Sequence, residues 1–513
     1  MSRQRRVIPL PTKGIDARST FAGPDTWQYA VNVRQSEADT RTVSYLTSAG
    51  AAGTISGKPR NLMQVFAAPS GVANGDVNKL LMLTTASSYV YNNVTATWNN
   101  IEGAYNLTGY GTRPIYPRFA VANSRHQVAW TCAEATPPIP VRIFAPATNG
   151  IAVIVPAYSA RYMIAFNNRL VLGDTMESGV RNSSRLRWCV NGNFTDWTGL
   201  GSGFLDVGSH LSSGRIQSLN LMDDIAVVAL EHEFIELLPT NSLFPVFQLG
   251  THHRGPMMIA PRSWQVYNDT AFFLGADGVW AWNRSSLTKI GKPVERLMAG
   301  FIDIISAMSI QGVLLQGRGE YHLLLSSGTT EGQPYARDFI YDIKADRWFL
   351  DEVSSLAVLT DATLTYGDDY VNLGGFTRGL EQIYGAGETG VLLQERDTAF
   401  AATMLTPPDV ILITNDYYAV DTQGNPSPNA RNELINFYFH STPNTQVVAG
   451  YSTDHGLTTS TITVTTNADG VGIVSAQVPF TTILFYFRRV GGQGQFKLTG
   501  AIEMEYEYVG ETY

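Results

Sequence analysis

The first places to look for chemistry are the histidines and carboxylates. Glu231-His-Glu-Phe-Ile-Glu236 approaches the His-Glu-x-x-His pattern, in which two histidines one helical turn apart hold zinc. Glu236 stands where the second histidine is needed, and the flanking Val227, Val228, Leu230, Phe234, Ile235, Leu237 and Leu238 read as a hairpin. His252 and His253 are adjacent, so in a strand they point to opposite faces and do not form a ligand pair. Asp223-Asp224 and Asp368-Asp369 are the carboxylate pairs that glycosidic cleavage would use, but both lie in turn-like contexts where Asp serves the backbone. There is no Gly-x-x-x-x-Gly-Lys-Ser/Thr phosphate loop and no Gly-x-Ser-x-Gly elbow. Gly317-Arg-Gly-Glu320 is a turn without a helix behind it to aim amide dipoles at phosphate. Cys132 and Cys189 are too few for a thiolate zinc site or a disulfide scaffold, and read as small buried hydrophobes. No catalytic, cofactor-binding or metal-ligating residue is assigned, and the expectation is a protein that is not an enzyme and needs no cofactor.

The elements around these residues are strands. Of 513 residues 44% are hydrophobic and only 16% charged, and the 47 glycines, 24 tyrosines and 23 phenylalanines suit strands joined by tight turns rather than a helical bundle. From residue 58 a unit recurs at roughly 40 to 50 residue spacing: two apolar strands across a turn, then Trp or Tyr near a third. Leu80-Leu-Met-Leu-Thr-Thr85 leads to Tyr89 and Trp98, and Phe119-Ala-Val-Ala-Asn123 to Trp130 and Phe144. Arg169-Leu-Val-Leu-Gly173 leads to Trp188 and Trp197, and Ile225-Ala-Val-Val-Ala-Leu230 to Phe234. Ala271-Phe-Phe-Leu-Gly275 crosses Asp277-Gly278, a strong hairpin signal, to Trp280 and Trp282, and Tyr321-His-Leu-Leu-Leu325 leads to Tyr341 and Trp348. Sheets of this kind bury their faces by stacking around an axis. The chain is therefore expected to be all-β, with an extended arm over 1–57 carrying one or two short strands, a β-propeller of about six blades over 58–400, and an antiparallel β-sandwich or platform over 401–513. Ser452-Thr-Asp-His-Gly-Leu-Thr-Thr459 resembles a degenerate Asp-box turn, in which Thr459 replaces the usual Trp; such a turn is a folding device.

Charge and hydropathy exclude other classes. With 36 basic against 44 acidic residues the net charge is −8, and only 7 of the basic residues are lysines, so no wide basic surface grips nucleic acid by counterion release. The opening Met-Ser-Arg-Gln-Arg-Arg-Val-Ile-Pro-Leu is cut by Pro9 and Pro11 before an apolar stretch reaches signal-peptide length, and the longest apolar runs, 225–230 and 151–157, fall short of the ~20 residues that cross a bilayer. Synthesis in the cytoplasm, with no export by a signal peptide and no membrane-spanning segment, is expected. Arg3, Arg5 and Arg6 form a basic cluster that reads either as a solvated terminus or as a group seeking an acidic partner.

Several stretches together resemble one family. Ile8-Pro-Leu-Pro with Gly14 and Tyr29-Ala-Val-Asn-Val33 is similar to the amino-terminal arm of the tail nozzle and hub proteins of short-tailed bacteriophages, which include the tail tubular and packaged-DNA stabilisation proteins. Phe166-Asn-Asn-Arg-Leu-Val-Leu-Gly173 with Ser184-Arg-Leu-Arg-Trp188 and Asn193-Phe-Thr-Asp-Trp197 resembles a blade signature of that group, as does Phe273-Leu-Gly-Ala-Asp-Gly-Val-Trp280 with Ile290-Gly and Val294. Arg488-Arg-Val-Gly-Gly with Phe496-Lys-Leu-Thr-Gly500 resembles its closing sheet. The resemblance implies a virion tail protein made in the host cytoplasm, whose copies form a sixfold ring below portal and adaptor, line the channel, hold the packaged DNA and let it pass without sequence recognition. Adaptor and portal-side connector proteins, and other tail proteins or fibres, would be its partners, with Arg3, Arg5 and Arg6 docking on the adaptor. Two other classes stand beside it. A carbohydrate-active or glycan-binding propeller would need arginines or paired carboxylates at its centre; a kelch-like interaction module is suggested by Tyr341-Asp-Ile-Lys-Ala-Asp-Arg-Trp348, although the other repeats lack the diglycine.

Overall fold

The computed structural model describes residues 3–18, 25–35, 39–42, 45–48, 55–67, 77–84, 86–92, 97–101, 120–122, 127–133, 138–145, 150–155, 158–208, 214–240, 242–302, 307–326, 335–362, 382–387, 392–396, 410–489 and 496–511. Among them the longest helix is the single turn Glu295–Met298, and apart from two shorter helical turns, Pro261–Ser263 and Ala307–Ser309, the regular structure is all strand. The fold is all-β, as composition and turn chemistry indicate.

Five consecutive four-stranded antiparallel sheets begin at Pro59–Ala67, Ala120–Ala122, Tyr158–Phe166, Ser218–Met222 and Gln265–Tyr267, each running in chain order from its first strand to its fourth. A sixth array, Gln311–Leu315, Glu320–Ser326, Tyr335–Asp342 and Arg347–Ala362, has the same order within a larger sheet. Successive sheets pack face to face. Leu81, Leu83 and Val90 of the first meet Val128, Trp130 and Phe144 of the second, and Ala129, Val141 and Ile143 on the second's other face meet Met163, Leu170 and Leu172 of the third. Val171, Leu186 and Trp188 meet Val228, Ile235 and Leu237 of the fourth, whose Val227 and Phe234 meet Phe273 and Trp282 of the fifth. This stacking explains why the middle strands read as unbroken apolar runs: both faces are covered, so Ile225–Ala229 is buried at all five positions.

A seventh array was not legible as a repeat. The second half of Arg347–Ala362 pairs with Gln382–Gly387, that strand with Leu392–Arg396, and the fourth strand is Tyr45–Ser48 from the other end of the chain. Arg347–Ala362 also lies against Pro59–Ala67 of the first sheet. The hairpin at Asp277-Gly278 is present, but its loop is Ala276-Asp277 and Gly278 opens the next strand at φ +132°. Two positive φ values occur instead in other hairpin turns: Asn167-Asn168 at +47° and +54°, Ser178-Gly179 at +48° and +83°, and Asn268-Asp269 at +45° and +58°.

The described residues of the arm expected over 1–57 hold five strands rather than one or two, and they complete sheets of other regions. Gln4–Pro9 and Asp39–Thr42 both pair with the last strand, Lys497–Glu511. Trp27–Val31 pairs antiparallel with Val410–Thr414, and its Val31 meets Leu350 of the sixth array in parallel. Backbone geometry fixes this path at Gly14: its φ of +80° suits glycine, and a Cβ there would come 2.7 Å from the Trp348 carbonyl oxygen, which accepts the Ile15 N–H. The two carboxy-terminal sheets close over Phe437, Phe439, Phe485, Phe487, Ile502 and Met504, in one core that runs through Ile8, Ile15 and Trp27 to Tyr321, Phe339 and Trp348. Here one sheet face is buried and the other wet, so Val471–Phe480 alternates buried and exposed positions along most of its length.

Candidate docking surface

Strand pairing puts the arm's arginines on the outer sheet of the carboxy-terminal region. In the register of Gln4–Pro9 on Lys497–Glu511, Arg5 lies opposite Glu505 and Val7 opposite Glu503. Alternation then splits the arginines, because Arg5 and Val7 are exposed while Ile8 is buried and Gln4 and Arg6 half-buried. Arg3 reaches Glu507 at 3.7 Å and Glu505 at 4.0 Å, and the Arg5 guanidinium stands 5.3 Å from the centre of the Tyr438 ring. Arg6 donates from Nη1 to the Tyr418 carbonyl at 3.0 Å. Arg3 and Arg5 therefore form an outward basic pair, and Arg6 ties the strand to Tyr418, whose strand pairs with Thr482–Arg489 of the other carboxy-terminal sheet. The acidic side is organised as well: Glu505 accepts from Asn436 Nδ2 at 2.7 Å and Tyr438 Oη at 3.3 Å, and these bonds, led by Asn436, hold its carboxyl below the ordinary range.

The other sequence candidates are dispersed. Glu233 and Glu236 lie on the hairpin strand Glu233–Pro239, facing His252 at 3.0 Å and His253 at 3.1 Å on the next strand. Glu236 also accepts from Arg284 at 3.1 Å, and His253 packs edge-on to Trp282. The two histidines serve opposite faces of the fourth sheet, one carboxylate each. Asp223 and Asp224 occupy the turn between Ser218–Met222 and Ile225–Ala229. A hydrogen bond with Asp269 from the next sheet raises the Asp223 carboxyl. Asp368-Asp369 lies outside the described residues. Cys132 and Cys189 are buried and unlinked; burial pushes the Cys189 thiol up to about 11, and its Sγ accepts the Leu170 N–H. Gly317-Arg-Gly-Glu320 forms the turn after Gln311–Leu315, closed by the Gly319 N–H on the Leu315 carbonyl. The 452–459 turn is held by Asp454, which accepts from Ser452 Oγ and from the N–H and hydroxyl of Thr458; these bonds lower its carboxyl to about 2. Among the described residues no three His, Cys, Asp or Glu side chains are grouped for a metal ion, and no helix is long and apolar enough to cross a membrane.

One charged cluster escaped the sequence reading. On one face of the sixth array His322 Nδ1 stands 2.7 Å from Asp338 Oδ2, and His322 Nε2 3.5 Å from Glu320 Oε2. Burial works against the imidazolium, but Asp338, then Glu320, outweigh it and hold the His322 pKa up at about 10. Glu320 and His322 share a face by i, i+2 spacing, a signal visible in the sequence; Asp338 is brought in by the pairing of Leu324 with Asp338, which is not.

No family model matches the chain, and no curated protein matches it. Among solved structures, PorZ, described as an essential bacterial surface component of the type-IX secretion system of Porphyromonas gingivalis, aligns over 72% of this chain and 42% of its own, with 10% identity and a TM-score of 0.37. The chain spans less than half the length of PorZ, and a likeness of that size says nothing about activity or partners.

Proposed function

We propose that this chain is a structural protein of a phage tail, of the nozzle or hub type, and not an enzyme. In this reading the stacked arrays stand radially as the blades of a propeller, and copies of the chain form a sixfold ring beneath portal and adaptor. The ring encloses the channel that retains the packaged genome and through which it is ejected. The observation that supports the reading most is the seventh array, whose outer strand Tyr45–Ser48 comes from the opposite end of the chain while its inner strand lies against the first sheet. A circular stack has a seam where its first and last sheets meet, and a strand supplied from a distant part of the chain holds that seam by backbone hydrogen bonds. A wall under internal pressure needs that seam locked.

Charge points the same way. Arginines in the third sheet are occupied within the chain: Arg181 pairs with Asp174 at 2.6 Å, Arg185 with Asp206 at 2.7 Å, and Arg187 with Glu177 at 3.1 Å. A protein of net charge −8 whose cations are engaged this way suits a channel that DNA must traverse without sticking. The outward pair Arg3 and Arg5, beside Glu503, Glu505 and Glu507, offers a mixed-charge face for the adaptor or a neighbouring tail protein.

Quantitative mass spectrometry of purified particles, scaled to the capsid protein, tests this. A small copy number consistent with a sixfold ring is expected. Absence from particles overturns the reading and leaves the glycan-binding and kelch-like classes.

A further inference from the structure

Two edges of the carboxy-terminal sheets contrast. Gln4–Pro9 borders its sheet with Arg5, Arg6 and Pro9, charges and a proline of the kind that discourage a further strand from adding. Ser460–Thr465 borders the other sheet, with Gln446–Ser452 as its single neighbour there, and its sequence is Ser-Thr-Ile-Thr-Val-Thr. It has no charge and no proline, and its register with Gln446–Ser452 runs without a bulge. Side chains on both of its faces are exposed, Val464 alone being half-buried, and Ile462 is 55% exposed. The absence of charge extends along the chain. Residues 456–480 hold one charged side chain, Asp469, in a protein with 16% charged residues.

We infer that Ser460–Thr465 is a strand-addition edge for a second copy of this chain, the same segment of each copy pairing antiparallel across a twofold axis. Backbone donors and acceptors on the open side of an antiparallel strand match those of an identical strand turned end for end. Self-pairing sets only Ser, Thr, Ile and Val opposite one another, so no like charges meet, and threonine and β-branched cross-strand pairs favour the union. A partner recognised through charge finds nothing to read here. The contact is isologous and joins copies in pairs, whereas a closed ring uses a head-to-tail contact, so the inference does not rest on the nozzle reading and survives or fails separately.

The test is the native mass of the purified full-length chain over a concentration series, for the wild type and for Thr461→Lys with Thr463→Lys. Both positions are exposed, so the lysines leave the fold intact, and circular dichroism with the thermal midpoint verifies this. A wild-type dimer whose self-association falls by about tenfold or more in the lysine variant is expected. Thr461→Val with Thr463→Val should keep the dimer. In Ile462→Cys, a short thiol cross-linker should join the two copies, the native cysteines being buried. A wild type that stays monomeric throughout the series overturns the inference. So does a dimer that the lysines leave unchanged, because its contact then lies elsewhere.

Discussion

Two sets of opposite charges in this chain use the same chemistry at very different depths. In the sixth array His322 and Asp338 are 2% and 5% exposed and stand 2.7 Å apart. On the outer carboxy-terminal sheet Arg3, with its side chain 62% exposed, lies 3.7 Å from Glu507 and 4.0 Å from Glu505. Water screens the second set and cannot reach the first. The inner pair is therefore a constraint on the fold, since neither partner can be left charged without the other, while the outer set is free to exchange partners with another surface.

Breaking the inner pair should have the largest effect. His322→Leu leaves Asp338 buried without its cation and should cost about 3–5 kcal/mol in denaturant unfolding. Adding Asp338→Leu should restore most of that loss, because two apolar side chains replace the pair without stranding a charge. If the single variant is as stable as the wild type, the pair is not a constraint and the contrast between the two regions fails.

The same pair predicts a pH signature. His322 is raised from 6.5 to about 10, so its stabilising contribution is complete below about pH 6.5 and is lost as pH rises from there through about 10. Stability measured across that window should fall more steeply for the wild type than for the double leucine variant, which retains every other titrating group. Parallel curves would mean that the imidazole is neutral in the folded protein.

Gly14 tests how firmly the amino-terminal segment is seated between the regions. An alanine Cβ would meet the Trp348 carbonyl at 2.7 Å from a backbone with φ of +80°. Gly14→Ala should therefore destabilise by about 1–3 kcal/mol, and the loss should appear as earlier proteolysis of the first residues together with a lower unfolding midpoint. An unchanged midpoint would show that the segment is not locked to Trp348.

The fold was legible where side-chain pattern and strand order agree. Unbroken apolar runs such as Ala271-Phe-Phe-Leu-Gly275, followed by a turn and a tryptophan, announced six of the stacked arrays because each is continuous in the chain. The seventh was hidden because Tyr45–Ser48 and Leu392–Arg396 are far apart in sequence, and no local periodicity reports a pairing between them. For the same reason residues 1–57 read as an arm: Gln4–Pro9 looks extended and basic, and nothing in it tells that Lys497–Glu511 is its neighbour. The arginine candidates were found by composition, but their division into an outward pair and an inward Arg6 needed strand alternation in a known register. The His322 cluster was half legible, through Glu320 and His322 two residues apart; Asp338 required the register of the facing strand.

The smallest effect is expected on the outer set, and there the measurement separates stability from docking. Arg3→Ala together with Arg5→Ala should leave the unfolding midpoint without a resolvable change, because exposed pairs gain little over water and the strand is held by its backbone pairing with Lys497–Glu511. If Arg3 and Arg5 contact the adaptor, the same variant should be incorporated into particles less well while folding normally. Arg6→Ala, which removes only the tie to the Tyr418 carbonyl, should be incorporated like the wild type. Normal incorporation of the Arg3 and Arg5 variant would remove these residues from the docking surface and leave the outer face with no role beyond closing its sheet.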